Sequence, residues 1–242
     1  MTATIQAQLF DANGYNSGSV PTSRRPRNTD LIKTISYSQH EILGWIQNLY
    51  GIQRFDLDMT YSKGRFYRNG IRAPRFKTDI RPLHRDVIPA NSRYLPFKDN
   101  SFQSVIYDPP FFPCGGMGSN IRYKYGAYDS LEALWSSYQA SMREAWRVLN
   151  PQGVFVFKCQ DVLMGRQQFF VHSEVLRYGQ EINFYASDLF VKLQRHVPIS
   201  WNHQRQNNAR KFHCYFLVFV KKIRPVRTIT SSCRLKNASQ KH

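Results

Sequence analysis

Ser104-Val105-Ile106-Tyr107-Asp108-Pro109-Pro110-Phe111-Phe112 is a short apolar run that ends in a carboxylate and two prolines. A run of this length bounded by turn residues reads as a buried strand, and in an open α/β sheet ligands bind beyond the carboxyl ends of such strands. Asp108 therefore stands where a functional side chain is expected. Two consecutive prolines fix φ and supply no amide donors, so the loop is stiff and its carbonyls are acceptors. An aromatic beside it can stack on a planar ring.

The same pattern recurs on both sides. Short apolar runs at 54–59, 76–80, 154–158, 189–193 and 213–220 join 104–107 as expected strands. Ser38 followed by Glu41 resembles a capping box, and Ile42, Leu43, Ile46 and Leu49 at helical spacing predict a helix ending near Gly51. Asp129 or Ser130 caps a second helix, with Leu131, Leu134, Trp135, Tyr138, Met142, Ala145 and Leu149 on one face. Asn150-Pro151-Gln152-Gly153 then stops it. Helix, Pro/Gly turn and apolar strand in that order make a right-handed crossover into a parallel strand. The fold class is α/β, one doubly wound, mostly parallel, Rossmann-like sheet.

The chain has 242 residues, room for one such domain with decorated ends. Residues 1–35, with Arg24-Arg25-Pro26-Arg27, read as a loosely ordered basic arm, 36–221 as the domain, and 222–242 as a basic, disordered tail without acidic residues. The formal charge is +18, from 34 Lys and Arg against 16 Asp and Glu, which makes nucleic acid the leading partner class. Four cysteines, Cys114, Cys159, Cys214 and Cys233, lie without CxxC or Cys/His spacing, so no metal site and no disulfide framework is expected. No apolar stretch approaches the roughly 20 residues of a membrane span, and no signal segment is visible, so a soluble, cytoplasmic protein with no membrane partner is expected.

The loop at Asp108 suits a particular chemistry. An exocyclic amino group conjugated into a ring is a poor nucleophile because its lone pair is delocalised. If the Asp108 carboxylate and the Pro109 carbonyl both accept its hydrogens, the nitrogen is steered toward sp3 character and its lone pair toward an electrophilic methyl.

The segment 95–111, ending in Asp108-Pro109-Pro110-Phe111, resembles class I methyltransferases, and its last four residues resemble the DPPY/DPPF motif of amino-methylating DNA methyltransferases. Trp146-Arg147-Val148-Leu149-Asn150-Pro151-Gln152-Gly153-Val154-Phe155-Val156 is similar to the helix, turn and fifth strand of that fold. The resemblance spans roughly residues 50–220 and looks closest to small bacterial and phage DNA methylases. It implies S-adenosyl-L-methionine as cofactor and catalysis by Asp108, Pro109, Pro110 and Phe111. An Asp at the first position of the motif implies N6 of adenine in DNA; a Ser there would favour N4 of cytosine. An RNA base methyltransferase acting on adenine N6 or guanine N2, and a non-catalytic nucleic-acid-binding protein on the same scaffold, are the competing expectations.

For the cofactor, the resemblance points to four places. The family opens with an acidic residue and a Gly-rich turn after the first strand; here stands Phe55-Asp56-Leu57-Asp58-Met59-Thr60-Tyr61-Ser62-Lys63-Gly64, with one glycine. Asp58 or Asp56 is expected to pair with the cofactor's ammonium, and Thr60, Ser62 and Gly64 to shape the turn. Asp79 is placed like the acid that binds ribose hydroxyls in nucleotide-binding sheets. Asn91 stands where the family usually has an Asp that holds the adenine, and its side-chain carbonyl can make the same bond. Asp108 adjoins the cofactor as well.

The substrate surface follows from charge and aromatics. The Gly-rich segment 113–128 suits a mobile lid over a flipped base. Arg122 and Lys124 are candidate phosphate contacts, with Tyr123 or Tyr125 for stacking. One residue of Lys158-Cys159-Gln160-Asp161 is expected to serve substrate or cofactor, since it follows the fifth strand at the same edge as Asp108. Arg210 and Lys211, in the basic turn 203–213, are candidate backbone contacts. His172 and His213 read as structural histidines.

Overall fold

The computed structural model describes residues 31–111, 128–164, 167–195 and 208–222. Its helices and strands all fall in the unit spanning residues 33–242. Helix α1 (Gln39–Leu49) starts at Ser38, whose hydroxyl accepts the Glu41 amide at 3.3 Å, and it buries Ile42, Leu43 and Ile46. Helix α2 (Leu131–Val148) starts at Ser130, whose hydroxyl accepts from Ala133 N at 3.1 Å. Its apolar face, Leu134, Tyr138, Met142, Ala145 and Val148, is buried in the core.

Eight strands form one sheet. β1 (Ile35–Ser36), β2 (Leu57–Asp58), β3 (Phe76–Asp79), β4 (Ile88–Pro89), β5 (Phe102–Tyr107), β6 (Leu149–Cys159), β9 (Phe184–Leu193) and β10 (His213–Lys221) lie in the order β1-β9-β10-β6-β5-β2-β3-β4. From β4 to β6 every neighbouring pair is parallel. β10 runs antiparallel to both β6 and β9. β7 (Val162–Met164) and β8 (Gln167–Phe169) pair antiparallel beside this sheet.

The doubly wound α/β class expected from sequence is the one observed. Strand alternation sorts the side chains to two faces. Phe155, Phe157, Leu217 and Phe219 pack with α2 and with helix α3 (Val171–Glu181). Val154, Val156, Lys158, Phe216 and Val218 take the other face. On that face Phe66 meets Phe216, and Trp45 of α1 meets Phe190 of β9.

The differences from expectation have local causes. β2 keeps only Leu57–Asp58 of the run 54–59, because its ladders to β3 and β5 match at just those two residues. Leu149, expected on the α2 face, is its C-cap and begins β6. Asn150 precedes a proline, which disfavours helical backbone, and Gln152 adopts φ 64, so the chain turns out of the helix there. Ile35, placed at the end of the arm, pairs with Val191 as part of β1. Helix α3 and the β7/β8 pair lie in a stretch for which no element was expected.

Chain order fixes where a ligand can enter. β2, β3 and β4 progress outward in one direction, while β5 and β6 progress in the other, so the winding reverses between β2 and β5. Connections leave the sheet on opposite sides at such a point and open a crevice at the carboxyl ends of the two strands. Asp58 ends β2 and Asp108 directly follows β5.

Candidate active site

Asp108 is held by its backbone. Its amide donates to the Thr60 hydroxyl at 2.9 Å, a bond across the reversal point made possible by the register Asp58↔Ile106. The following loop is tied down from α2, where the Tyr138 hydroxyl donates to the Pro110 carbonyl at 2.9 Å. Tyr138 in turn packs edge-on against Tyr107 and Phe157. The Pro110 carbonyl is thus one acceptor of the stiff loop that already has a partner.

The Asp108 carboxylate faces a cation. Lys158 Nζ lies 3.2 Å from Oδ2, and the lysine side chain is 12% exposed against 24% for the aspartate. Burial pushes the Asp108 carboxyl above the usual range, and the Lys158 ammonium opposes that rise. The rings of Phe66, Phe111 and Phe216 surround the ammonium.

Asp58 is more deeply enclosed. Its Oδ1 accepts the Thr60 amide at 2.8 Å and its Oδ2 the Tyr67 hydroxyl at 2.7 Å. Burial pushes its carboxyl up to about 7, against the lowering effect of those two bonds. The Tyr67 hydroxyl is pushed far up by burial and by Asp58, so it remains the donor. The turn after β2 is built on Asp79, whose Oδ2 accepts Ser62 N at 2.8 Å and whose Oδ1 accepts Arg81 N at 2.8 Å. Ser62 and Gly64 both have positive φ, and a side chain at 64 would run into the Tyr61 ring. These two residues replace a Gly-rich loop with a turn closed by a neighbouring strand's acid.

Asn91 follows β4 beside Asp79, since Ala90 N donates to Asp79 O at 3.0 Å. Its Oδ1 accepts from the Arg93 amide at 3.0 Å and from Arg93 Nε at 3.3 Å, so the carbonyl expected for an adenine already has two partners. Asp58, Thr60, Ser62, Gly64, Asp79, Asn91, Asp108 and Lys158 therefore gather at the carboxyl edge. Arg210 and Lys211 lie at that edge too, because β10 runs antiparallel and its first residues flank the end of β6.

Asp56 is not part of this group. It precedes β2 at the opposite edge, where its Oδ2 accepts Gln103 N at 2.9 Å and Ser104 N at 3.2 Å. Its Oδ1 stands 3.5 Å from Arg75 Nε. Residues two apart in a strand share a face but not an end, and the short β2 leaves Asp56 to anchor the start of β5. Of the pair Asp58 or Asp56, the structure puts only Asp58 in the crevice.

Arg122, Tyr123, Lys124 and the rest of the segment 112–127, with 203–207, lie outside the described residues. His172 Nδ1 lies 2.7 Å from the buried Asp161 and its ring stacks on Tyr215 at 4.3 Å. His213 Nε2 is 2.9 Å from the Tyr215 hydroxyl. Tyr67, Phe66 and Phe216 were not singled out in the sequence, and Tyr138 was expected only on the apolar face of a helix. Each reaches the site through tertiary contact that no spacing in the chain announces; Lys158 differs, for strand register alone puts it next to Asp108.

No protein-family model matches the chain. No curated protein matches it by sequence either. Among solved structures, a Thermus thermophilus protein described as a putative DNA modification methylase, complexed with S-adenosyl-L-methionine, is similar at 21% identity with a TM-score of 0.41, covering 55% of this chain and 54% of that one. The chain thus spans about half the length of that protein. The PvuII DNA methyltransferase, cytosine-N4-specific, is similar at 19% identity and TM-score 0.37, covering 52% of this chain and 45% of that one. A Burkholderia thailandensis 1,6-didemethyltoxoflavin-N1-methyltransferase, with S-adenosylhomocysteine bound, is similar at 13% identity and TM-score 0.44, covering 77% of this chain and 79% of that one.

Proposed function

We propose that the chain transfers a methyl group from S-adenosyl-L-methionine to an exocyclic amino group of a nucleic-acid base, N6 of adenine in DNA. One observation carries the reading. A carboxylate followed by Pro-Pro-Phe is fixed at the end of β5, on the crevice where the winding reverses, with its backbone held by Thr60 and its loop by Tyr138.

The donor set of the crevice suits the cofactor. Asp58, Asp79 and Asn91 stand at the ends of three adjacent strands, where the two aspartates fit an ammonium and ribose hydroxyls, and the Asn91 carbonyl would exchange an Arg93 bond for an adenine amine. Each Asp79 oxygen accepts one backbone amide and keeps a further lone pair for a hydroxyl. When bound, the cofactor supplies an electrophilic methyl on a sulfonium.

Asp108 and the Pro109 carbonyl accept the two hydrogens of the base's amino group and turn its lone pair out of conjugation. With the cofactor bound, the amine would take its methyl while the C–S pair stays on sulfur, and the Asp108 carboxylate or water would accept the nitrogen's surplus proton. Phe111 offers a face to the flipped base. The net charge of +18 supports a polyanionic substrate.

The test is transfer of labelled methyl from S-adenosyl-L-methionine to unmethylated DNA and, in parallel, to total RNA, with nucleoside mass spectrometry. N6-methyladenine from DNA is the expected product, and Asp108→Ala should lose it by at least about 100-fold while its circular dichroism is unchanged. Product from RNA alone would make the substrate RNA. No incorporation, with no cofactor binding by calorimetry, would leave a non-catalytic nucleic-acid-binding scaffold.

A further inference from the structure

The sheet itself makes Asp108 and Lys158 neighbours. β5 and β6 run parallel with Tyr107 opposite Phe157, so the next residues of the two strands stand side by side at the carboxyl edge. Both side chains turn to the face that carries Phe216, and Lys158 Nζ closes to 3.2 Å from Asp108 Oδ2. Nζ lies 4.6 Å from the centroid of Phe66, 5.4 Å from Phe111 and 5.6 Å from Phe216. Aromatic faces favour an ammonium but cannot rival a carboxylate as a hydrogen-bond acceptor. Three rings therefore keep the charge in place while its hydrogen bond goes to Asp108.

Resting on the methyl-transfer reading, we propose that Lys158 is a positioning residue of that reaction: its ammonium grips Oδ2 of Asp108 and leaves Oδ1 to accept the N–H of the acceptor amine. With Thr60 holding the backbone amide and Lys158 one carboxylate oxygen, the aspartate has no free rotation left. The fixed oxygen is then an acceptor before substrate arrives.

The same ammonium opposes the rise that burial imposes on the Asp108 carboxyl. The titratable groups that face it are Asp58 from β2, Tyr67 from the turn after β2, Tyr138 from α2, Cys214 from β10 and Lys158 from β6. Burial pushes the Tyr67, Tyr138 and Cys214 protons up, so these groups stay neutral near pH 7, and the Asp58 carboxyl is itself pushed up to about 7. Among the described residues Lys158 is the cation opposing the desolvation of Asp108. Without it the carboxyl would hold its proton to higher pH, and a protonated oxygen donates where the amine needs an acceptor.

The test uses the full-length chain, Lys158→Met and Lys158→Arg, in two measurements. The first is kcat and KM against pH with S-adenosyl-L-methionine and the nucleic acid found to accept methyl. Lys158→Met should lose roughly tenfold or more in kcat near pH 6, regain most of it toward pH 8.5, and leave KM for the nucleic acid within about twofold, while Lys158→Arg keeps the wild-type acid limb. A loss equal at every pH, or a gain in rate, would overturn the proposal. The second measurement needs no turnover: the 13C carboxyl titration of Asp108, assigned by its absence in Asp108→Asn. Its midpoint should rise by about 1 to 3 pH units in Lys158→Met. An unmoved midpoint overturns the proposal even if the chain methylates DNA, and a moved one beside a wild type that methylates nothing would sink the methyl-transfer reading instead.

Discussion

Asp58 couples the site to stability through a single proton. Its carboxyl is pushed from 3.8 up to about 7 by burial, so between those values the folded chain holds a proton that the unfolded chain has released. Stability therefore falls as pH rises through that window, by on the order of a few kcal/mol in total, and is fully present below it. Asp58→Asn keeps an acceptor for Thr60 N and cannot ionise. Between pH 5 and pH 8 the melting temperature of the wild type should drop relative to that of Asp58→Asn, and parallel curves for the two would show that Asp58 does not carry the proton. At this scale the sequence disclosed Asp108 through its place at a strand end and left Asp58 and Asp56 as alternatives. It did not disclose Tyr67, nine residues from Asp58 and bonded to it at 2.7 Å, because a loop brings it back.

Among the elements, α3 depends on one missing side chain. At Gly179 the helix crosses β10 so closely that a Cβ would lie 2.6 Å from the Phe219 ring. Phe219 cannot withdraw, for it is fully buried against Phe155 and Phe184. Gly179→Leu should therefore destabilise the fold by about 1–3 kcal/mol despite leucine's better helix propensity, as read by denaturant midpoint. A neutral or stabilising result would mean that α3 is free to shift. The two capped helices were legible because Ser38 and Ser130 announce them and apolar residues repeat along one face. α3 has Val171, Val175 and Tyr178 at helical spacing but no side-chain cap, and a glycine in its last turn, so its local signal was weak.

Across the whole molecule, charge and winding order act together. Positive charge on this scale makes nucleic-acid affinity depend on salt, with a slope of about 0.9 per phosphate neutralised. Residues 223–242 contribute Arg224, Arg227, Arg234, Lys236 and Lys241, whereas Lys222 already sits 3.6 Å from the Tyr185 ring centroid. Removing 223–242 should weaken binding to duplex DNA and flatten the plot of log affinity against log salt. An unchanged slope would show the tail to be idle. The sequence by itself determined the α/β class, most of the strands, two helices and the carboxylate at the head of a proline-stiffened loop, because apolar period, caps and turn residues act over a few positions. Only the tertiary structure decided that Asp58 and not Asp56 faces the crevice, that Lys158 is the partner of Asp108, and that Tyr67 and Tyr138 brace the site. Those outcomes depend on strand length, lateral register and which face of the sheet a loop returns to, and they are settled by residues from nine to 50 positions apart meeting in one packed core.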